Sequence, residues 1–569
     1  MTNIENQLSN ESFKKKLLSI KNLKKYFPLP KAHIFSKEQL YVRANEEITL
    51  DIYSGETLGL VGESGCGKST LGRTVLQLYE QTAGSTIYYG RTIEDFAPSY
   101  VEHTLKNSVK MIAKYRELES KAAQLTAECE AAGDAATFFQ IQNMNLAVAE
   151  AETAKQNVVK IMGGFATLES PVHAAELLLK KHKTSVKIAE LKHELRQLDA
   201  EIDFFSSQLE EMKANSEAGE SKVAKAEARL GKFTSHKDTI MGELEKLSAE
   251  LEENVREVEA LRAEHASDAA FREYEEYLDD GIDLSRLTYP EMRLLRKDLQ
   301  IIFQDPYSSL NPRMTVGQII EEGLVTHNFF KHGSPQMKEY ILDVMRQCGL
   351  QDYMIHRYPH QFSGGQRQRI CIARALAVKP QFVVCEECVS ALDVSIQSQI
   401  INLLEELKEK EKLTYLFISH DLSVVRYISD RIGVMYLGNI VEFGDAETIF
   451  NDPRHPYTVA LLSSIPTTDM ASLKKERIIL EGNIPSPIRP PEGCKFHTRC
   501  YMACDKCKRV PPPYVEVEQG HFVACHFLDR KVDENGNYLF TVNKKEEPRA
   551  ADTEAPAKEA AAENASEEN

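Results

Sequence analysis

Several absences bound what this 569-residue chain can be. No stretch reaches the roughly 18 apolar residues that a membrane-crossing helix needs, so attachment to a bilayer is expected to go through another protein. The opening MTNIENQLSNESFKKKLL lacks the apolar core of a secretory signal, and the expected compartment is the cytoplasm. Proline is missing from 172 to 280, which permits uninterrupted helices there. Positive charge is in deficit: 69 Lys+Arg face 86 Asp+Glu, a net of −17 that argues against a nucleic-acid partner. What remains, 42% hydrophobic and 27% charged residues, is the composition of soluble globular domains. The length suits about three or four of them.

The acidity is concentrated. Residues 91–280 hold 24 Lys+Arg and 37 Asp+Glu, and residues 531–569 hold 5 and 10, so the rest of the chain is nearly neutral at +1. The tail is Ala/Glu-rich with few large apolar residues and is expected to be disordered. The 91–280 segment instead has a period. Ile188, Leu191, Leu195, Leu198, Ile202, Phe205, Leu209 and Met212 follow a 3-4 spacing. So do Leu230, Phe233, Lys237, Ile240, Leu244, Leu247, Leu251, Asn254, Val258 and Leu261. Such a seam predicts an antiparallel coiled-coil hairpin over 175–270, with its tip in the polar stretch 214–221 around Gly219. A 30-residue arm would reach about 45 Å. Residues 101–160 are expected to be helical with a less regular period. A charged helix face is most simply a solvated spacer, so a docking role needs independent support.

Residues 57–61 read as a buried strand running into Gly62, Glu63, Ser64, Gly65, Cys66, Gly67, Lys68, Ser69 and Thr70, then a helix. This G-x-x-x-x-G-K-[ST] pattern lets successive backbone N–H groups curl around phosphates, with a helix N-terminus behind them. Lys68 supplies a cation to the phosphates, and the Ser69 hydroxyl is a candidate Mg²⁺ ligand. Beyond the insertion come a Ser363-Gly364-Gly365-Gln366 segment opening an apolar helix and a short strand ending at Glu386 and Glu387. Asp393 follows, and a second strand leads to His420.

In this order the pieces resemble the ATP-binding-cassette (ABC) ATPases over about 17–90 and 281–465. The resemblance implies an α/β P-loop fold: a RecA-like core, an antiparallel β subdomain and a helical signature subdomain, interrupted by the helical hairpin. It implies ATP and Mg²⁺ as ligands. Residues 62–70 are then the Walker A loop, Gln304 the Q-loop glutamine, and Ser363 to Gln366 the signature facing the γ-phosphate of a second subunit. Glu387 becomes the carboxylate that polarises the attacking water, and His420 the switch histidine. For the aromatic that stacks on adenine, Tyr41 is the first candidate, with Tyr26 and Phe27 as rivals. Two positions depart from the family. Glu386 stands where an aspartate holds Mg²⁺ through water, and Cys388 stands where proline is usual; both put efficient hydrolysis at this site in question.

The run after Gln304 (DPYSSLNPRMTV), the HPYT segment at 455–458 and the GCKFHTRC segment at 493–500 are similar to the peptide/nickel class of importers. That resemblance implies oligopeptide or dipeptide import. Its partners are a second ATPase subunit, two permease subunits and, indirectly, an extracytoplasmic binding protein, with the chain on the cytoplasmic face of the membrane. Cys494, Cys500, Cys507 and Cys525 cluster in a chain expected to be reduced, where metal is favoured over disulfides. Zn²⁺ or a [4Fe–4S] cluster would suit four thiolates, and the resemblance leans to the latter. The expected domains are 17–90 and 281–465 (the ATPase), 91–280 (the insertion), 466–530 (the extension with the cysteines) and 531–569 (the tail). Two other readings stay open: a DNA-maintenance ATPase with an inserted coiled coil, and a hydrolysis-impaired scaffold whose hairpin recruits an unidentified partner.

Overall fold

The computed structural model describes residues 15–31, 39–214, 220–390, 392–465 and 478–528. The tip expected around Gly219, the stretch 466–477 and the acidic tail lie outside the described residues.

Two sheets organise the ATPase. Long strands β1 (Lys16–Pro28) and β2 (Tyr41–Tyr53) pair antiparallel, and β4 (Ala83–Tyr88) and β5 (Ile282–Asp283) complete a four-stranded sheet in the order β2-β1-β4-β5. The second sheet is larger. It runs β11-β12-β10-β9-β3-β8-β7-β6, from β3 (Thr57–Val61), β6 (Leu299–Ile302), β7 (Phe382–Glu386), β8 (Thr414–Ile418), β9 (Arg431–Tyr436), β10 (Asn439–Asp445), β11 (Tyr514–Glu518) and β12 (His521–Ala524). Strands β3, β7 and β8 pair in parallel and are buried at every position. Their unbroken apolar sequences follow from burial on both faces, which parallel strands require.

The insertion leaves and re-enters the fold through one strand pair: Ile87 faces Asp283 and Tyr88 faces Ile282 across β4 and β5. Entry and exit are therefore neighbours, and about 190 residues can be accommodated without disturbing the sheet. The base of the insertion has a core of its own, in which Tyr100, Ile112, Val158, Phe165, Val258 and Phe271 pack together. Phe165 and Phe271 meet edge to face at 5.4 Å. Polar contacts tie this base to the ATPase: buried Lys160 Nζ donates to Ser85 Oγ (2.7 Å), and Arg286 donates to the carbonyl of Asn157 (2.7 Å). The sequence period pointed only to long helices; the packed base beneath them is a finding of the structure.

Above the base rise the two longest helices, Val172–Ala214 and Glu220–His265. The residues of the two 3-4 runs are buried or half-buried while most of their neighbours are exposed. Contacts link the helices at Thr184–Asn254 (3.3 Å), Glu194–His236 (3.0 Å) and Lys213–Glu227 (2.7 Å), so position advances on one helix as it retreats on the other, and Asp199 pairs with Lys237 (2.7 Å). Phe205 stacks on Phe233 at 5.4 Å. Asn254, 1% exposed, donates to Thr184 Oγ1 and makes one polar layer in the seam. At 1.5 Å per residue the longer helix measures about 70 Å.

The C-terminal extension joins the main sheet as β11 and β12, with Glu442 of β10 opposite Val523. Glu442, fully buried, accepts from the backbone N–H groups of Arg454 (2.6 Å) and His455 (2.9 Å) and contacts His521 Nε2 (2.9 Å). A carboxylate with three partners here locks sheet, helix start and extension together.

Candidate functional site

The phosphate-binding loop closes on glycines. Gly62, Gly65 and Gly67 have φ of 150°, 82° and 106°. A Cβ on Gly67 would come within 2.2 Å of the Ala44 carbonyl, and one on Gly62 within 2.2 Å of the Met435 carbonyl. Only glycine fits such approaches. Gly67 caps the helix Lys68–Val75. Asn45 Nδ2 donates to the Gly67 carbonyl at 3.0 Å, and the Gly438 N–H donates to the Cys66 carbonyl at 2.9 Å, so the loop is pinned from β2 and from the β9–β10 turn. Lys68, 4% exposed, folds its ammonium back onto the carbonyls of Gly62 (2.7 Å) and Glu63 (3.2 Å). Burial pushes the Cys66 thiol up, against the pull of Lys68. Ser69 and Thr70 follow in the first turn of the same helix.

An open cavity of about 320 Å³ lies beside the loop, lined by Gly62, Glu63, Ser64, Glu387, His420, Leu422 and Leu461. Glu387 sits just past β7 with φ 44°, a left-handed conformation unusual for a side-chain-bearing residue, held by its N–H donating to the Ile418 carbonyl (2.9 Å). Gln304 Nε2 donates to Glu387 Oε2 at 2.8 Å, and His420 Nδ1 lies 3.4 Å from the same oxygen. Gln304, Glu387 and His420, up to 116 residues apart in sequence, thus meet at one carboxylate oxygen. This arrangement can orient a water against a phosphoryl group bound at the loop.

Other expected residues lie elsewhere. Ser363 caps the helix Gly364–Leu376, accepting from the Gln366 N–H, and Gln366 reaches back to the Ser363 N–H (3.1 Å). This helix N-terminus does not line the cavity. Gly365 packs against Ile396, where a Cβ would come within 2.5 Å. Asp393 is exposed at the start of the helix Val394–Glu411. Tyr41 is half-buried, 6.3 Å from the ring of Tyr26. Tyr26 is buried and its hydroxyl donates to Glu46 (2.7 Å), while Phe27 meets Tyr79 edge-on at 5.4 Å.

Glu386 has a partner that sequence reasoning missed. Its carboxylate, 2% exposed, accepts from Arg73 Nε (3.1 Å) and Nη2 (3.0 Å) at a single oxygen, Oε2. Burial opposes the charge on Arg73, but hydrogen bonds to Tyr79 and Glu386 outweigh it and raise its pKa. The hydroxyl of Ser69, the amide oxygen of Gln304 and the carboxylate of Glu386 are hard oxygen donors of the kind Mg²⁺ prefers. The donor set therefore fits that ion, with Glu386 Oε1 outside the Arg73 contact. Arg499, Tyr457 and Leu461, on the C-terminal side, also reach the loop or cavity. No motif spacing announces them.

The thiols of Cys494, Cys500, Cys507 and Cys525 are near enough to raise one another's pKa. Burial pushes Cys494 up to about 11 and Cys500 to about 12. Among the described residues no group of three or more His, Cys, Asp or Glu side chains could hold a metal ion. The iron–sulfur or zinc centre expected there therefore has no support in the geometry. His497, His521 and His526 contact the Cys494 carbonyl, Glu442 and the Val510 carbonyl, respectively.

The oligopeptide transport ATP-binding protein AppF of Bacillus subtilis (strain 168) is 53% identical over 248 residues, covering 43% of this chain and 75% of that protein. The putative oligopeptide transport ATP-binding protein YkfD of the same organism is 51% identical over 247 residues, covering 43% of this chain and 75% of that protein. A probable peptide ABC transporter ATP-binding protein of Sinorhizobium fredii is 49% identical over 249 residues, 44% of this chain and 70% of its own length. Residues 441–507 match the "Oligopeptide/dipeptide transporter, C-terminal region" family. The "ABC transporter" family matches residues 45–249 and 271–390, more than half of the chain, which accordingly belongs to the ATP-binding subunits of ABC transporters.

Proposed function

We propose that this chain hydrolyses ATP to drive the import of oligopeptides or dipeptides through two membrane-embedded permease subunits, to which it attaches from the cytoplasmic side. The observation that carries the reading is the meeting of Gln304 and His420 on Glu387 beside the Lys68 loop. The similarity of residues 441–507 to peptide-transporter subunits supports the cargo class.

In this reading the N–H groups of residues 62–70 receive the phosphates, and Lys68 exchanges its contacts with Gly62 and Glu63 for phosphate oxygens. Ser69, Gln304 and Glu386 would hold Mg²⁺, which neutralises charge on the transferred group. Glu387 accepts a hydrogen bond from the attacking water, and His420 steadies that carboxylate and meets the γ-phosphate. Tyr41 is the surface offered to the base. The chain carries one Walker A loop and one signature. Ser363, Gly364, Gly365 and Gln366 therefore serve the site of a second cassette, and Asp393 lies at the same face. A copy of this chain or a homologous subunit would supply the missing half.

The paired helices 172–214 and 220–265 form an antiparallel coiled-coil arm in this reading. Its acidity would repel nucleic-acid phosphates, so we do not favour a DNA-maintenance role.

The test is ATP turnover by the purified chain, alone and reconstituted with its permease subunits. Glu387→Gln should lower turnover by about 10²- to 10⁴-fold, the range for a lost base, while leaving nucleotide binding intact. Equal rates for wild type and variant would sink the reading.

A further inference from the structure

Resting on the assignment of the 62–70 loop as a nucleotide site, we propose that Arg499 of the C-terminal extension is a positioning residue for that loop. It neutralises and anchors Glu63 so that a polyphosphate can enter. Arg499 Nη1 donates to Glu63 Oε2 (2.6 Å) and Nη2 to Oε1 (3.0 Å), a two-point pairing across 436 residues of sequence. The Arg499 side chain is only 6% exposed. The backbone of Glu63 is held from the same direction, its N–H donating to the hydroxyl of Tyr457 at 2.9 Å. Phe496, 1% exposed, backs both contacts: its ring lies 5.3 Å from that of Tyr457 and 5.1 Å from that of Tyr436. The Arg499 N–H donates to the Phe496 carbonyl.

The chemistry gives this pairing a purpose. Glu63 lines the cavity that also contains Glu387 and His420. A bare carboxylate there would repel a triphosphate. A planar guanidinium bound at two points cancels that charge and fixes its direction, which a lysine would not do equally well. The extension is therefore part of the nucleotide site, not an appendage to it.

The experiment measures affinity for a fluorescent ATP analogue in the full-length protein carrying Arg499→Ala, Glu63→Gln, or both. Arg499→Ala should weaken binding by about three- to tenfold, because it frees the carboxylate beside the phosphates. With the charge of the carboxylate also removed, the double variant should bind as Glu63→Gln does and more tightly than Arg499→Ala. That rescue separates charge neutralisation from simple bracing. Unchanged affinity in Arg499→Ala, or a double variant as weak as Arg499→Ala, overturns the proposal. Amide exchange across residues 62–67 in the nucleotide-free protein is the independent readout, expected to quicken in Arg499→Ala and overturning the proposal if it does not. Absence of nucleotide binding by wild type would refute the nucleotide-site assignment instead, and the exchange measurement would still judge the anchor. Should Arg499→Ala not fold, Arg499→Gln, which keeps most of the side-chain volume but removes the charge, replaces it, with the same rescue by Glu63→Gln required.

Discussion

Replacing Arg73 by alanine removes the partner of the most buried acid in the site. Glu386 is 2% exposed and receives both Arg73 N–H groups, at 3.1 and 3.0 Å. Deleting one member of a fully buried pair costs about 3–5 kcal/mol, because a charge is left without compensation. Here the Arg73 side chain is 34% exposed, so water can follow it out. The expected loss falls to about 2 kcal/mol, within the span of hydrogen bonds to charged groups. Removing the charge from both partners, as Arg73→Ala with Glu386→Gln, should recover about half of it. A chain with several domains does not unfold in one step, so a global melting curve is the wrong instrument. Hydrogen exchange of the β7 amides, read in wild type, both single variants and the double variant, gives the coupling locally. A coupling below about 0.5 kcal/mol would place the pair among ordinary surface ion pairs and refute the reasoning. The same pair bears on hydrolysis. Glutamate is one methylene longer than the aspartate usual in the family, and Arg73 holds that longer stem by one oxygen. Glu386→Asp should therefore loosen the Arg73 contact.

The arm can be cut without touching its base if the cut is made above the Thr184–Asn254 layer. A deletion of 188–250 closed by a short polar linker should leave the protection of Phe165 and Phe271 in hydrogen exchange unchanged. Deletion of 175–270 removes Leu178 and Val258 from that core and should abolish the protection. Acid should loosen the join between the extension and β2. Burial alone would raise the Glu46 carboxyl, but the charge and hydrogen bond of Lys495, with a hydrogen bond from Tyr26, lower it from 4.5 to about 2. Because the folded value lies below the unfolded one, the stabilisation is complete above about pH 4.5 and is lost as pH falls toward 2. The difference in hydrogen-exchange protection of the β2 amides between wild type and Glu46→Gln should accordingly shrink between pH 5 and pH 3; a constant difference would contradict the assignment.

What could be read from the sequence was whatever obeys a local rule. The phosphate loop is one, since its glycines, lysine and hydroxyl residue are consecutive and their spacing is set by backbone geometry. The 3-4 seam is another, because the side chains that must be buried recur at fixed intervals, and the seam positions are indeed the less exposed ones. The base of the insertion obeys no such rule. Tyr100, Tyr115, Phe165 and Phe271 come from four separate segments and become neighbours only through packing. The same reason hides Arg73 and Arg499, whose partners lie 313 and 436 residues away and belong to motifs that are recognisable without them. Tyr26, a rival to Tyr41 for the base, is removed from contention by a fact no spacing carries: its ring is buried and its hydroxyl is occupied by Glu46. The cysteines show the converse. Their clustering along the chain does reflect proximity, but ligation needs convergence at bonding distance, and among the described residues no three such side chains converge on a metal position. Charge behaves the same way. The excess of acid is a property of the insertion and tail, whereas Glu63, Glu386 and Glu387 each meet specific partners that the fold brings to them: Arg499, Arg73, and Gln304 with His420.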